Sequence, residues 1–176
     1  MKGIMFSNEY GLEDAVLRGE KTRTWREDKK PRYKVGEIVA IKQCYRTIFR
    51  QNKEHSMAIG ITSKNGYVSN FCIEHPGWVN KMFVKPDLMP HRIRIKSVMP
   101  CRLQCVNEEE CLREGIKIDT ETGCYICDGI YLKGNKMPRC FKLAKDGFRE
   151  LIDRINGRGY WGRNPYGYAY EFELIK

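Results

Sequence analysis

No apolar run in this chain approaches the ~20 residues that a membrane-crossing helix needs, so a helical membrane protein is excluded. The opening stretch, Met1 to Asn8, turns polar before it builds the apolar core of a secretory leader, and a cytoplasmic setting is expected. Histidine is scarce: His55, His75 and His91 are the whole supply. A second Cys-x-x-Cys is missing, so a paired-knuckle zinc fold is not written here. There is no internal repeat and no low-complexity segment, which removes solenoids and fibrous arrays. Acidic residues are also short, with 22 Asp and Glu against 32 Lys and Arg.

What remains is a chain of 176 residues, 41% apolar and 11% aromatic, too rich in core formers to stay disordered. A chain of this length buries roughly 70% of its unfolded surface without staples. One domain over 1–176 is expected, with insertions at about 51–85 and 117–143. The net charge is +10, and residues 17–53 alone hold 12 basic and 4 acidic side chains. Such a local excess attracts polyanions or phosphorylated ligands, or is simply a solvated face. The eight cysteines are Cys44, Cys72, Cys101, Cys105, Cys111, Cys124, Cys127 and Cys140. Free, mostly buried thiols are expected, with no cofactor. The trio Cys124, Cys127 and Cys140 has the spacing of half a structural zinc site, with Cys101, Cys105 or His91 as a fourth ligand.

The patterning gives a mixed fold. Gly3–Phe6 reads as a strand, and Leu12, Ala15 and Val16 have helical spacing that Gly19 ends. A polar loop follows from Glu20 to Lys34, then a buried strand over 36–42 and another over Met57–Thr62. Residues 64–90 read as an irregular excursion. Arg92 to Val98 alternates basic and apolar, a strand with one buried and one basic face. Asn107 with Glu110 forms a capping box for a helix ending at Gly115. Residues 117–140 look like an inserted hairpin. Phe148, Leu151, Ile152 and Ile155 share one helical face that Asn156-Gly157 stops, and the chain closes on an alternating strand from Tyr168. The sum is α+β: a small mixed β-barrel of five to seven strands with about three surrounding helices.

The densest chemistry lies in Gly19-Glu20-Lys21-Thr22-Arg23-Thr24-Trp25-Arg26. A lysine, two hydroxyls and two guanidinium groups follow a helix end directly. A loop of this kind suits an anion, or a carbonyl oxygen that turns negative under attack. A solvated basic loop is the plainer alternative.

The octet fits G-x-K-x-x-T-x-R and resembles the signature of the ASCH (activating-signal-cointegrator homology) domains. Tyr33 to Val39 is similar to the family's following strand. Met89-Pro90 with Arg92–Val98, and Leu103 through Asn107 to Ile116, are similar to the middle of phage and bacterial members. Phe148–Asn156, Trp161, Asn164-Pro165 and Tyr170-Glu171-Phe172 are similar to their C-terminal end.

The resemblance implies a PUA-like barrel that binds RNA or a modified nucleoside. In one bacterial subgroup it implies amide hydrolysis of N4-acetylcytidine, assigned to Lys21, Thr24 and Glu114 in the numbering of this chain. Thr24 would be the nucleophile. Lys21 would be either its base or a stabiliser of the oxyanion, held by Glu114. Arg23, Trp25, Arg26, Arg92, Arg94, Tyr160 and Trp161 are candidate ligand contacts, cationic or aromatic. The glycine-rich run Gly157–Gly167 suits a flexible loop over a nucleotide. The alternatives are a non-catalytic RNA-binding module, or an accessory protein of a phage or mobile element whose insertions bind a host partner.

Overall fold

The protein is described by a computed structural model covering residues 1–68 and 73–175; Cys72 lies outside these residues. In chain order the strands are β1 (Gly3–Ile4), β2 (Arg23–Arg26), β3 (Ile38–Ile41), β4 (Arg92–Arg102), β5 (Lys117–Ile118), β6 (Tyr125–Ile126) and β7 (Tyr166–Ile175). The helices are α1 (Leu12–Leu17), α2 (Tyr45–Gln51), α3 (Lys53–Ala58), α4 (Glu108–Arg113), α5 (Ala144–Asn156) and α6 (Tyr160–Arg163). The class is mixed α+β, and the strands number seven among the described residues. Neither β1 nor β2 pairs with a second strand there, so the expected closure into a barrel is replaced by open edges. Among the described residues the elements above include six helices, against about three expected. The additional ones, α2, α3 and α6, are only four to seven residues long, too short to print a periodic apolar face.

The chain folds into two compact units. The first holds residues 1–6, 38–93 and 175–176. In it β1 runs parallel to β3, with Gly3 opposite Ala40 and Ile4 opposite Ile41. Val39, Ala40 and Ile41 are fully buried, as a strand covered on both faces requires. Ala40, Tyr45, Ile48, Ile61, Val84 and Met89 form its core. The strand expected over Met57–Thr62 is not there. Asn52 accepts the His55 N–H at 2.9 Å and starts α3, a cap that overrides the short β-branched run. Residues 76–88 form three 3-10 turns, two of them begun by proline.

The second unit holds residues 7–37 and 94–174. Here β4, β7 and β2 lie side by side in that order. β4 keeps the expected alternation, with Ile93 and Ile95 fully buried and Arg92, Arg94 and Lys96 exposed. The octet does not lie wholly on a loop. From Arg23 it becomes β2, antiparallel to β7, with Thr24 opposite Tyr170 and Trp25 opposite Ala169. The partner strand lies more than 140 positions away, which a local reading of the octet does not see. The Asn107–Glu110 capping box forms in full at the start of α4. α5 buries Phe148, Leu151 and Ile152, each worth about 1.5–3 kcal/mol of removed apolar surface. The run 157–167 is not a free loop. It contains α6, whose Tyr160 is buried. β5 and β6 pair antiparallel, with Lys117 opposite Ile126 and Ile118 opposite Tyr125.

Candidate functional site

Three charged side chains from two distant segments meet inside the second unit. Gly19, at φ +78°, reverses the chain after α1, and the Glu20 and Lys21 N–H groups both return to the Ala15 carbonyl. Thr22 then donates its N–H to the Arg113 carbonyl at 3.1 Å, which docks the octet against the last residue of α4. The Arg113 Nε donates to the Thr22 Oγ1, and the Phe172 N–H donates to the Thr22 carbonyl. The turn is thereby tied to α4 and β7 at once.

That docking brings Lys21 to Glu114, the residue capping the C-terminus of α4. The Lys21 Nζ donates to the Glu114 Oε2 at 2.9 Å and to its backbone carbonyl at 2.5 Å. The Arg23 Nη1 donates to the Glu114 Oε1 at 2.9 Å. One carboxylate is therefore held by two cations, and the side chains of Lys21, Arg23 and Glu114 are only 2%, 3% and 4% exposed. Arg23 also meets Glu110 at 3.4 Å. Gly115 makes the approach possible. Its φ is +113°, and a Cβ there would come 2.7 Å from the Leu12 side chain and 3.7 Å from the Lys21 Cδ.

Burial disfavours the lysine charge and lowers the Lys21 pKa below the ordinary value, while the Glu114 carboxylate pulls it back up. The nearby arginines, Arg26 and Arg23, push it down further. Burial likewise lowers the pKa of Arg26, with Tyr33, Glu114 and Asp28 opposing.

The remaining expected residues are spread over the unit. Thr24 is buried on β2, three residues along from Lys21. No hydrogen bond joins its hydroxyl to Lys21 or Glu114 among the described residues. Trp25 is buried and donates its Nε1 to the Cys101 carbonyl at 3.3 Å. Arg94 is exposed and pairs with Glu173 at 3.4 Å. Tyr160 donates its hydroxyl to Glu27. Trp161 packs edge-on against Phe148 at 6.0 Å, with its N–H on Asp153. The structure does not place Tyr160 or Trp161 in contact with Lys21 or Glu114. Arg92 belongs to the first unit, exposed at the start of β4. Glu110 joins the cluster without having been expected there. Its signal was the capping box: one oxygen caps Asn107 while the other faces Arg23.

The expectation of free thiols fails at one pair. Cys124 and Cys140 form a disulfide, brought within reach by the antiparallel bridge between Tyr125 and Phe141. Cys127 is buried, and burial pushes its thiol up to about 12. With those two sulfurs joined, Cys127 is the one thiol of the trio. Among the described residues no group of three His, Cys, Asp or Glu is arranged to hold a metal. No helix is long and apolar enough to cross a membrane among the same residues.

No family model matches the chain, and no curated protein matches it in sequence. Among solved structures it is similar to the high-resolution crystal structure of an ASCH domain from Lactobacillus crispatus JV V101. The identity is 14% and the TM-score 0.39, over 93% of this chain and 69% of that one.

Proposed function

We propose that the chain is an ASCH-type domain that binds a nucleoside or a nucleic acid, with Lys21, Arg23 and Glu114 at its site. In the finer form of this reading it removes the acyl group from an N-acylated nucleoside such as N4-acetylcytidine. The observation that carries the reading is the 2.9 Å contact of Lys21 with Glu114, 93 positions apart and almost fully buried. These two residues are the pair that the signature resemblance assigns to one site. Buried charge is costly to keep, and clusters with shifted proton affinity gather where chemistry is done.

The chemistry follows from the residue types. Burial raises the fraction of Lys21 that is neutral, and a neutral amine can take the proton of the Thr24 hydroxyl. The threonine oxygen then bonds to the acyl carbon, and the carbonyl oxygen turns negative beside the cations of the octet. Collapse breaks the bond to the nucleoside nitrogen, which leaves with the proton held by Lys21. Water cleaves the acyl-threonine, releases the acid and restores the hydroxyl. Glu114 positions Lys21, since both its carboxylate and its carbonyl accept from the ammonium.

The experiment is a panel of N-acylated nucleosides followed for release of free acid. Release by the native chain, lost in Thr24→Ala and in Lys21→Ala, is the expected result. A second reading, a non-catalytic RNA-binding module, is favoured by the two hydrogen bonds that hold Lys21 as an ammonium. It gains if no acid is released while RNA binding is intact. A cytoplasmic setting belongs to the same proposal, and the thiol state of Cys124 and Cys140 in protein drawn from cells checks it.

A further inference from the structure

We propose that the second unit carries a separate track for a phosphodiester chain, along the open groove between α5 and the segment 139–142. The inference deepens the nucleic-acid side of the proposed function and rests on it, but it does not use the Lys21 cluster. The groove encloses about 740 Å³ and five cations line it: Arg139, Lys142, Arg149, Arg154 and Arg158. Of its three carboxylates, Asp146 is exposed and the other two have partners. Glu150 binds Arg139 at 2.8 Å and Arg154 at 2.9 Å, holding both guanidinium groups in place. Asp153 accepts the Trp161 N–H at 2.7 Å. Lys142, Arg149 and Arg158 are exposed, and no ion pair holds them among the described residues. The charge continues past the groove. From Gly129 to Lys145 the sequence has five basic residues and no acidic one. Lys133 and Lys136 stand in the exposed turn of the hairpin closed by the Tyr131–Pro138 bridge.

The shape of the charge selects the occupant. A single phosphate is bound by donors that converge on one point. Here Lys142 and Arg158 flank the two ends of the 13-residue α5, about 20 Å long at 1.5 Å per residue, Arg149 and Arg154 stand on it, and Arg139 lies on the facing segment. One strand of a nucleic acid places a charge every ~3.4 Å, so this length faces about six phosphates. The Arg139 guanidinium packs 5.2 Å from the centre of the buried Phe141 ring, and Tyr131, nearby in sequence, is exposed; the guanidinium plane and the Tyr131 ring are flat surfaces of the kind on which bases stack. A lipid surface is the rival occupant: Phe148, Leu151 and Ile152 of α5 are buried and unavailable for insertion, but Ile155, Leu143, Leu132 and Met137 are exposed, and the vesicle arm below decides between the two. The wall of the groove is fixed. Tyr125 and Phe141 exchange backbone hydrogen bonds at 3.0 and 2.8 Å, and the disulfide ties Cys140, itself a lining residue, to Cys124.

The test uses the full chain and a labelled single-stranded RNA of about 12 nucleotides, within the site sizes such grooves cover. Single-stranded DNA of the same sequence, polyglutamate and vesicles rich in phosphatidylserine are run beside it. Binding is followed from about 50 to about 200 mM salt, where phosphate contacts lose affinity steeply. The comparison is the triple variant Lys142→Gln, Arg149→Gln, Arg158→Gln, whose sites are exposed and leave the core intact. The expected result is polynucleotide binding whose logarithmic salt slope falls by about 2 in the variant, three lost contacts at ~0.7 each for single strands. The RNA and DNA arms then say which polymer binds better. The proposal is overturned if the native chain binds neither polymer, if the variant keeps the native affinity and slope, or if polyglutamate or vesicles bind better than both polymers. Turnover of small acylated nucleosides is measured on the same variant and is expected unchanged. Loss of turnover in the Lys21→Ala protein with RNA binding intact separates the two sites. An inactive native chain that still loses RNA binding in the triple variant overturns the hydrolase and leaves the track standing.

Discussion

Two cationic regions of the second unit use the same residue types in opposite ways. At the Lys21–Arg23–Glu114 cluster the charges are taken out of water and paired, so their strength is set by desolvation. Along the groove beside α5 they stay in water, with Lys142, Arg149 and Arg158 in no ion pair among the described residues, so their strength is set by salt. A buried cluster is suited to shift a proton and hold a geometry. A solvated row is suited to gather a long polyanion and release it.

The sharpest break of this contrast is chemical. Lys21→Ala is expected to lower acyl release by ~10²- to 10⁴-fold, the range of a lost general base, with the salt slope of RNA binding unchanged. Glu114→Ala leaves two buried cations without their carboxylate. It is expected to cost about 3–5 kcal/mol in denaturant unfolding, against less than about 1 kcal/mol for Arg149→Gln on the groove. Equal costs at the two sites would erase the distinction.

Acidity sharpens the contrast next. Burial lowers the Lys21 pKa in the folded chain, whereas the unfolded chain keeps a lysine near the ordinary value of about 10.4. Between those two values the unfolded chain binds more protons, so the Lys21 contribution makes stability rise with pH across that window. Acyl release is expected to rise through the same lowered value, because the neutral amine is the active form. A profile flat up to pH ~10 would remove Lys21 as the base.

A smaller effect is expected at Gly115. Alanine there is strained at φ +113° and meets Leu12, and about 1–3 kcal/mol of stability should be lost. Cysteine labelling shows the least energetic difference. Exposed Cys105 is expected to be alkylated readily, while Cys111, whose thiol burial pushes up to about 12, stays unlabelled until the chain unfolds.

Much of the local architecture was written locally. The alternation of Arg92 to Lys96 placed a strand with its basic face outward, and β4 has it. The Asn107–Glu110 pair placed the start of α4, and the apolar spacing of Phe148, Leu151 and Ile152 placed α5. These are signals that a few neighbouring residues carry by themselves. The short helices α2, α3 and α6 were not legible, because their formation depends on caps and packing rather than on period. The octet was legible as a concentration of chemistry, but its passage into β2 was not, since the hydrogen bonds that make it a strand come from β7.

The sequence by itself determined the net charge, the alternating and helical faces, and the residue types that resemble an ASCH signature. Those depend on composition and on spacing within a few positions. Only the tertiary structure decided that Lys21 and Arg23 share the Glu114 carboxylate, that Cys124 meets Cys140, and that Arg149 and Arg154 of α5 line one groove with Arg139, Lys142 and Arg158. The reason is physical: desolvation and pairing are properties of neighbours in space, and these neighbours are up to 93 positions apart in the chain.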